Sequence, residues 1–140
     1  MTYSPNQKFS IPENLYLIGT MNTADRSLAM LDYALRRRFA FVPLETDYGV
    51  LRRALQKKNC LLDIERLCEN IEKMNGEIVD NMALGKGFQI GHSYFIQEEN
   101  LDREKLQALW DYEVAPLLEE YFFDDVSEVE KLAALFFGGL

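Results

Sequence analysis

A short polar segment formed by Asn22, Thr23 and Asp25 directly follows an apolar run near the start of the chain. The run, Leu15 to Met21, is predicted to be a strand buried on both faces, as in a parallel sheet. Open α/β sheets bind ligands at the carboxyl ends of their strands, where this polar segment lies. An asparagine amide there can orient a water or a phosphate oxygen without adding charge repulsion. The segment is a candidate site for phosphate chemistry, although Asp25 could equally well cap the next helix.

A run of three arginines, Arg36 to Arg38, ends the element that follows. Apolar residues three and four apart between Ser27 and Arg38 predict a short helix, and the helix dipole favours cations at its carboxyl end. Phe39 to Leu44 is predicted to be a second buried strand. On periodicity alone, the arginines would cap the helix and pair with surface acids. The predicted order is therefore strand, polar segment, short helix, arginine run and strand.

Helical periodicity dominates the chain from Asp47 onward. It predicts four helices, at Tyr48 to Lys58, about Asp63 to Met82, Leu101 to Tyr121 and Val126 to Phe137. Pro116 is expected to kink or divide the third helix, because proline cannot donate a backbone hydrogen bond. Three glycines between Leu84 and Ile96 predict irregular backbone in that segment.

The formal charge of −8 is unevenly distributed along the chain. Residues 98–131 contain twelve acidic and three basic residues, so the remainder of the chain is close to neutral. Such an acidic surface repels phosphate backbones, and direct binding of nucleic acid is therefore not expected. The acidic region could contact a basic protein partner, or it could be a solvated helical face.

Cysteine and membrane signals are weak. Cys60 and Cys68 are separated by about 12 Å along a helix axis, which is too far for a disulfide. One histidine and no Cys-x-x-Cys pair make a metal site improbable, and none is predicted. No apolar stretch approaches the roughly 20 residues of a membrane span, and the first residues lack a signal-peptide pattern. The sequence therefore predicts a soluble cytoplasmic protein with reduced thiols and no membrane contact.

Four strings in this sequence resemble the AAA+ module of the McrB family, the GTP-hydrolysing motor subunits of modified-cytosine-specific restriction systems. They are GTMNTADRS at 19–27, DYALRRRF at 32–39, LGKGFQIGHSYF at 84–95 and APLLEEYFFDD at 115–125. The resemblance covers most of residues 14–125. It implies an α/β remnant, with two strands of a parallel AAA+ sheet, followed by a mostly α-helical lid subdomain. The implied division is residues 1–46 for the core portion and 47–140 for the lid.

The resemblance also implies roles for the polar segment and the arginine run. Asn22 matches the sensor-one residue of the family, and Thr23 and Asp25 match the rest of its nucleotide- and water-positioning signature. Arg37 and Arg38 match the arginine-finger positions, where a guanidinium reaches the nucleotide held by a neighbouring subunit. The resemblance across residues 32–39 favours the finger role over helix capping.

The glycine-containing segment resembles the part of the lid that could present a second sensor to the same nucleotide. Lys86, Gln89 and His92 are the candidate residues there. A cation would be a better phosphate ligand than Gln89, and for His92 a hydrogen-bonded packing role is the safer expectation.

Two nucleotide-binding motifs do not occur in the sequence. It contains neither Gly-x-x-x-x-Gly-Lys-Ser/Thr nor an apolar strand that ends in paired acids. We therefore do not expect this chain alone to bind or hydrolyse a nucleotide well. The resemblance implies GTP or ATP with Mg²⁺ in a complete module, self-association into a hexameric ring, an McrC-like endonuclease subunit as partner, and contact with DNA through a separate domain.

Three functions remain open at this point. The chain could be part of an McrB-like GTPase that powers DNA translocation and cleavage in a restriction complex. It could instead be part of a MoxR-like or midasin-like AAA+ ATPase that remodels proteins. A non-catalytic module that docks on AAA+ neighbours through its arginine edge is the third possibility. Unpaired strand edges would favour self-association in any of these cases.

Overall fold

The computed structural model describes residues 11–21, 37–81, 84–96, 99–123 and 125–140, and within these ranges the regular structure is helical. The described residues form five α-helices: α1 (Tyr48–Lys57), α2 (Ile64–Asp80), α3 (Arg103–Leu109), α4 (Ala115–Tyr121) and α5 (Val126–Phe137). Two 3₁₀ turns, Lys86–Phe88 and His92–Ile96, lie between α2 and α3, and a π-helical segment, Trp110–Val114, joins α3 to α4. The predicted helical subdomain is confirmed.

Aspartates cap the amino termini of four helices. Each side chain accepts hydrogen bonds from backbone N–H groups of the first turn: Asp47 from Val50, Asp63 from Arg66, Asp102 from Lys105, and Asp125 from Ser127 and Glu128. The first N–H groups of a helix have no partner within the helix, so these carboxylates satisfy donors that would otherwise depend on water. The local sequence therefore sets where these helices begin.

The third predicted helix is divided, as the proline indicated. Pro116 lies in the first turn of α4, where its missing N–H is not needed. Immediately before it, the backbone widens to π-helical geometry, and the Ala115 N–H donates to the Trp110 carbonyl five residues earlier. The helical direction thus continues from α3 to α4 with one irregular segment between them.

The core lies around α2, which packs against α1 on one side and α5 on another. α2 supplies an apolar stripe that is fully buried and consists of Leu67, Cys68, Ile71, Met74 and Ile78. An aromatic cluster extends this core, because the Phe136 ring lies 4.9 Å from Trp110, 5.8 Å from Phe95 and 4.8 Å from Phe137, centroid to centroid. Cys60 and Cys68 are both free thiols, and burial raises the pKa of Cys68 to about 11.

The two predicted strands are not confirmed, since residues 15–21 and 39–44 form no strand among the residues that the structure describes. Both segments lack regular structure and are solvent-exposed, with Ile18 96% exposed and Leu44 93% exposed. A strand needs a neighbouring strand to accept and donate its backbone hydrogen bonds. No described residue forms a ladder with either segment, so apolar composition alone does not produce the sheet. The division at residue 46 remains a prediction, and Asp47 is where the helical part begins.

Asp125 gives the stability of α5 a pH dependence. The Ser127 hydroxyl donates to the Asp125 carboxylate at 2.8 Å, and this bond is the largest cause that lowers the pKa of Asp125 below its ordinary value of 3.8. The hydrogen bond from the Glu128 N–H lowers this pKa further. Because the folded-state pKa is the lower one, the stabilisation is complete above the unfolded-state value and is lost as the pH falls through the folded-state value. The melting temperature of Asp125→Asn should therefore lie below that of the unchanged chain at pH 7, with the gap closing below pH 3.8.

Thermal unfolding followed by circular dichroism between pH 7 and about pH 2.5 measures this difference. Glu130→Gln, which changes an exposed carboxylate of the same helix, is the matched control, and at pH 7 its melting temperature should stay close to that of the unchanged chain. A gap for Asp125→Asn that stays constant over the whole range would contradict the assignment.

Among the described helices, none combines the length and the apolar composition that a membrane span requires.

Candidate functional site

The predicted site residues are only partly within the described structure. Asn22, Thr23 and Asp25 lie outside the described residues. Arg37 and Arg38 are described, and both are exposed in a turn that precedes Phe39. Their side chains therefore face solvent, where a group from another molecule can reach them.

Lys86, Gln89 and His92 lie in one loop, residues 84–92, which we call the lid loop. Gly85 allows the loop to reverse, since its φ of +89° lies in a region that side-chain-bearing residues avoid. Lys86 is exposed, whereas Gln89 and His92 are half-buried. Between them, Ile90 is fully buried and anchors the loop in the core.

Asn75, a residue of α2, holds the lid loop through a pair of hydrogen bonds to one backbone unit. Its Oδ1 accepts from the Ile90 N–H at 2.7 Å, and its Nδ2 donates to the Ile90 carbonyl at 3.0 Å. The same Nδ2 donates to the Tyr48 hydroxyl at 3.1 Å. Asn75 is fully buried, and burial raises the pKa of the Tyr48 phenol. The amide thus replaces the backbone partner that Ile90 would find in a sheet.

The residues immediately before α1 also contact the lid loop. The Thr46 Oγ1 donates to the Ile90 carbonyl at 3.2 Å, and the Asp47 N–H donates to His92 Nδ1 at 3.2 Å. One residue earlier, Glu45 pairs with Lys86 at 3.1 Å. We call residues 45–48 the linker, because they lie at the predicted boundary between core and lid.

These contacts bear on the predicted sensor role of two candidates, His92 and Lys86. His92 accepts a backbone hydrogen bond at Nδ1, which agrees with a packing role and leaves only Nε2 for a ligand. The Lys86–Glu45 pair is more than half exposed on both sides, and such pairs contribute at most about 1 kcal/mol. The Lys86 ammonium can therefore exchange Glu45 for a stronger anion such as a phosphate.

Sequence reasoning missed two buried asparagines on α2. Besides Asn75, Asn70 is buried and its Nδ2 donates to the carbonyls of Phe136 and Gly138, at 3.0 and 2.9 Å, where α5 ends. The sequence signal that could have identified the two asparagines was their spacing from apolar residues of the helix. Asn70 follows Leu67 by three residues and Asn75 follows Ile71 by four, so both lie on the apolar stripe of the helix.

A shallow cleft of about 540 Å³ opens elsewhere on the helical unit, between the end of α2 and the start of α5. Acidic residues line it, including Glu77, Asp80 and Glu128, and Lys131 pairs with Glu77 at 2.7 Å. Its negative charge opposes phosphate binding. Among the residues that the structure describes, no group of three or more His, Cys, Asp or Glu could hold a metal ion.

Comparisons with known proteins match the helical unit and most of the chain. Residues 66–130 match the family model for the alpha-helical lid domain of McrB. The chain is also 45% identical, over 145 aligned positions, to the type IV methyl-directed restriction enzyme EcoKMcrB subunit of Escherichia coli strain K12. This alignment covers 94% of the chain and 31% of that relative, so the chain spans about a third of the length of the curated protein that it matches.

Proposed function

We propose that this chain, as the C-terminal part of an McrB-like restriction subunit, supplies the lid and the sensing residues of a nucleotide-hydrolysing motor. The observation that carries this proposal is the match of residues 66–130 to the McrB lid, because the lid loop with Lys86 and His92 lies inside that range. The other candidate functions have no comparable support in the described residues.

The proposed roles follow the chemistry of each residue type. Asn22 would orient the attacking water or a γ-phosphate oxygen, with Thr23 and Asp25 positioning the nucleotide beside it. Arg37 and Arg38 would act in trans on the nucleotide of the adjacent subunit, which their exposure permits. Lys86 would contact phosphate from the lid after leaving Glu45.

The cofactors and partners are proposed for the complete protein. GTP, or ATP, would be held with Mg²⁺ by a segment that carries the phosphate-binding loop. The subunits would form a ring, proposed to be a hexamer, with an McrC-like endonuclease as partner and with DNA reached through a separate domain. The sensor would respond to nucleotide, and the finger would couple neighbouring subunits in that ring.

Reconstitution tests this proposal. Mixing the chain with an McrB-type amino-terminal segment that contains the phosphate-binding loop should give GTP turnover that neither part shows alone. Asn22→Ala in the same mixture should lower the catalytic rate more than nucleotide affinity, because the proposed contact strengthens during reaction. Phosphate release with GTP and with ATP, together with nucleotide titration, measures both quantities.

The outcomes separate the candidate functions. Turnover of ATP with no GTP turnover would overturn the GTPase assignment in favour of a remodelling ATPase. Association with no turnover of either nucleotide would favour the non-catalytic module that docks through its arginine edge. An equal loss of binding and rate in Asn22→Ala would contradict the sensor role and indicate a structural one.

A further inference from the structure

Three contacts join the linker to the lid loop, although the two segments are far apart in the sequence. Glu45 contacts Lys86, Thr46 contacts Ile90 and Asp47 contacts His92, at separations of 41, 44 and 45 residues. The contacts follow one another in the same order along both segments. Tyr48, the last residue of the linker, contacts the anchor of the loop, because its hydroxyl accepts from Asn75.

The contacts differ in how readily water can replace them. The Glu45–Lys86 pair is exposed, so water and salt compete with it directly. The Asn75–Ile90 bonds are fully buried, and breaking them would leave a backbone N–H and a carbonyl without partners. The buried bonds at Asn75 therefore hold the loop in place, and the linker is attached to the loop that they hold.

We propose that Asn75 is a positioning residue that joins the linker, from Thr46 onward, and the lid loop into one body, so that the pivot of the lid lies before Thr46. The nearest rotatable bonds are then those of Glu45 and Leu44 and the ψ bond of Pro43, because the proline ring restricts its own φ and the conformation of Val42. Leu44 is almost fully exposed, so no core packing opposes rotation there.

This arrangement adds to the proposed function. Only its consequence for the movement of the lid rests on that function. A lid that turns about the bonds of Leu44 and Glu45 carries Lys86, Gln89 and His92 as a set whose mutual spacing does not change. From Thr46 onward, the linker would move with the lid instead of bending, although its position between core and lid predicts a hinge. The joined body itself exists or fails in this chain alone, without nucleotide or partner.

Amide hydrogen exchange of the chain, resolved by nuclear magnetic resonance, tests the joined body. Two amides report on it, since the Ile90 N–H donates to Asn75 and the Asp47 N–H donates to His92. Asn75→Ala should raise the exchange rate at both amides by at least about tenfold, even though Asp47 does not touch Asn75. In the unchanged chain, Leu44 should exchange at least about tenfold faster than Asp47, and Asn75→Ala should not alter its rate.

Asn70→Ala is the matched control, because it removes a buried amide of the same helix that serves a different segment. It should raise exchange at Gly138 and leave Asp47 unchanged. An unchanged Asp47 rate in Asn75→Ala would overturn the proposal, as would an equal rise at Asp47 in Asn70→Ala. Protection of Leu44 equal to that of Asp47 would overturn the position of the pivot.

A milder variant keeps the test decisive if circular dichroism shows that Asn75→Ala is unfolded. Thr46→Val removes only the hydroxyl that donates to the Ile90 carbonyl. It should raise exchange at Asp47 by at least about threefold while leaving the Ile90 amide protected by Asn75. No change at Asp47 in this variant would show that the linker is not attached to the loop. Failure here would leave the turnover assay unaffected, so the two proposals fail separately.

Discussion

Arg38→Ala should lower nucleotide turnover in a reconstituted ring by about 10³-fold or more while leaving nucleotide affinity almost unchanged. An arginine supplied in trans stabilises the charge that develops on the transferred phosphoryl group, and this charge is present mainly in the transition state. Arg37 and Arg38 are both exposed in the same turn, so Arg37→Ala should be measured beside it. Steady-state phosphate release gives the rate, and titration with a fluorescent nucleotide gives the affinity.

Two further measurements make this prediction specific. Arg53→Ala removes an exposed cation from α1, outside the arginine run, and should keep turnover within about twofold of the unchanged ring. Rings that mix Arg38→Ala chains with subunits whose phosphate-binding lysine is replaced should regain part of the activity. Some interfaces in such rings pair an intact phosphate-binding loop with an intact arginine from the neighbour.

The finger assignment would be wrong if Arg37→Ala and Arg38→Ala both retained full turnover. Absence of rescue in the mixed rings would instead show that the arginine acts within its own subunit. Loss of nucleotide affinity in parallel with the rate would indicate a ground-state contact.

Phe136→Ala should reduce the free energy of unfolding of the helical unit by about 3–5 kcal/mol. Phe136 is fully buried, and its ring packs against Phe95, Trp110 and Phe137. Truncation removes apolar contacts with all three rings at once and leaves a cavity in the core. Since small domains are stable by only about 5–15 kcal/mol, a large part of the total is lost.

Urea unfolding followed by circular dichroism at neutral pH measures this loss. Phe123→Ala is the matched control, because it removes the same side chain from a position that is 73% exposed, and it should change the unfolding free energy by less than about 0.5 kcal/mol. Equal effects of the two substitutions would mean that the aromatic cluster around Phe136 does not hold the helices together.

The helices could be predicted closely because their determinants lie within each segment. The apolar stripe of α2 and the capping aspartates Asp63 and Asp125 are short-range features, and the observed ends at Asp80 and Phe137 lie within two residues of those predicted. The same holds for Pro116, whose ring excludes a regular helical turn wherever it occurs. Between Leu84 and Ile96, where the glycines predicted irregular backbone, the structure has two 3₁₀ turns, Lys86–Phe88 and His92–Ile96, and no α-helix.

The candidate site was harder to predict, because its geometry depends on residues far apart in the chain. Lys86, Gln89 and His92 were named from the sequence, and all three lie in the lid loop, but their sensor role stays a prediction. Their anchor was not named, because Asn75 gains its role only from the approach of Ile90 and the linker. An asparagine on an apolar stripe marks a polar group that must find a partner, but the partner is not encoded nearby.

Local chemistry in this chain, namely capping carboxylates, helical spacing and proline, already specified which residues become helical. Long-range hydrogen bonding decided the rest. Leu15 to Met21 and Phe39 to Leu44 have the composition of strands, yet they are not strands here because the described residues provide no neighbouring ladder. Asn75 shows the converse case, since the folded chain brings a backbone unit fifteen residues away to its amide. Hydrogen bonds within a helix close over a few residues, whereas sheet and loop contacts require partners that packing must bring together.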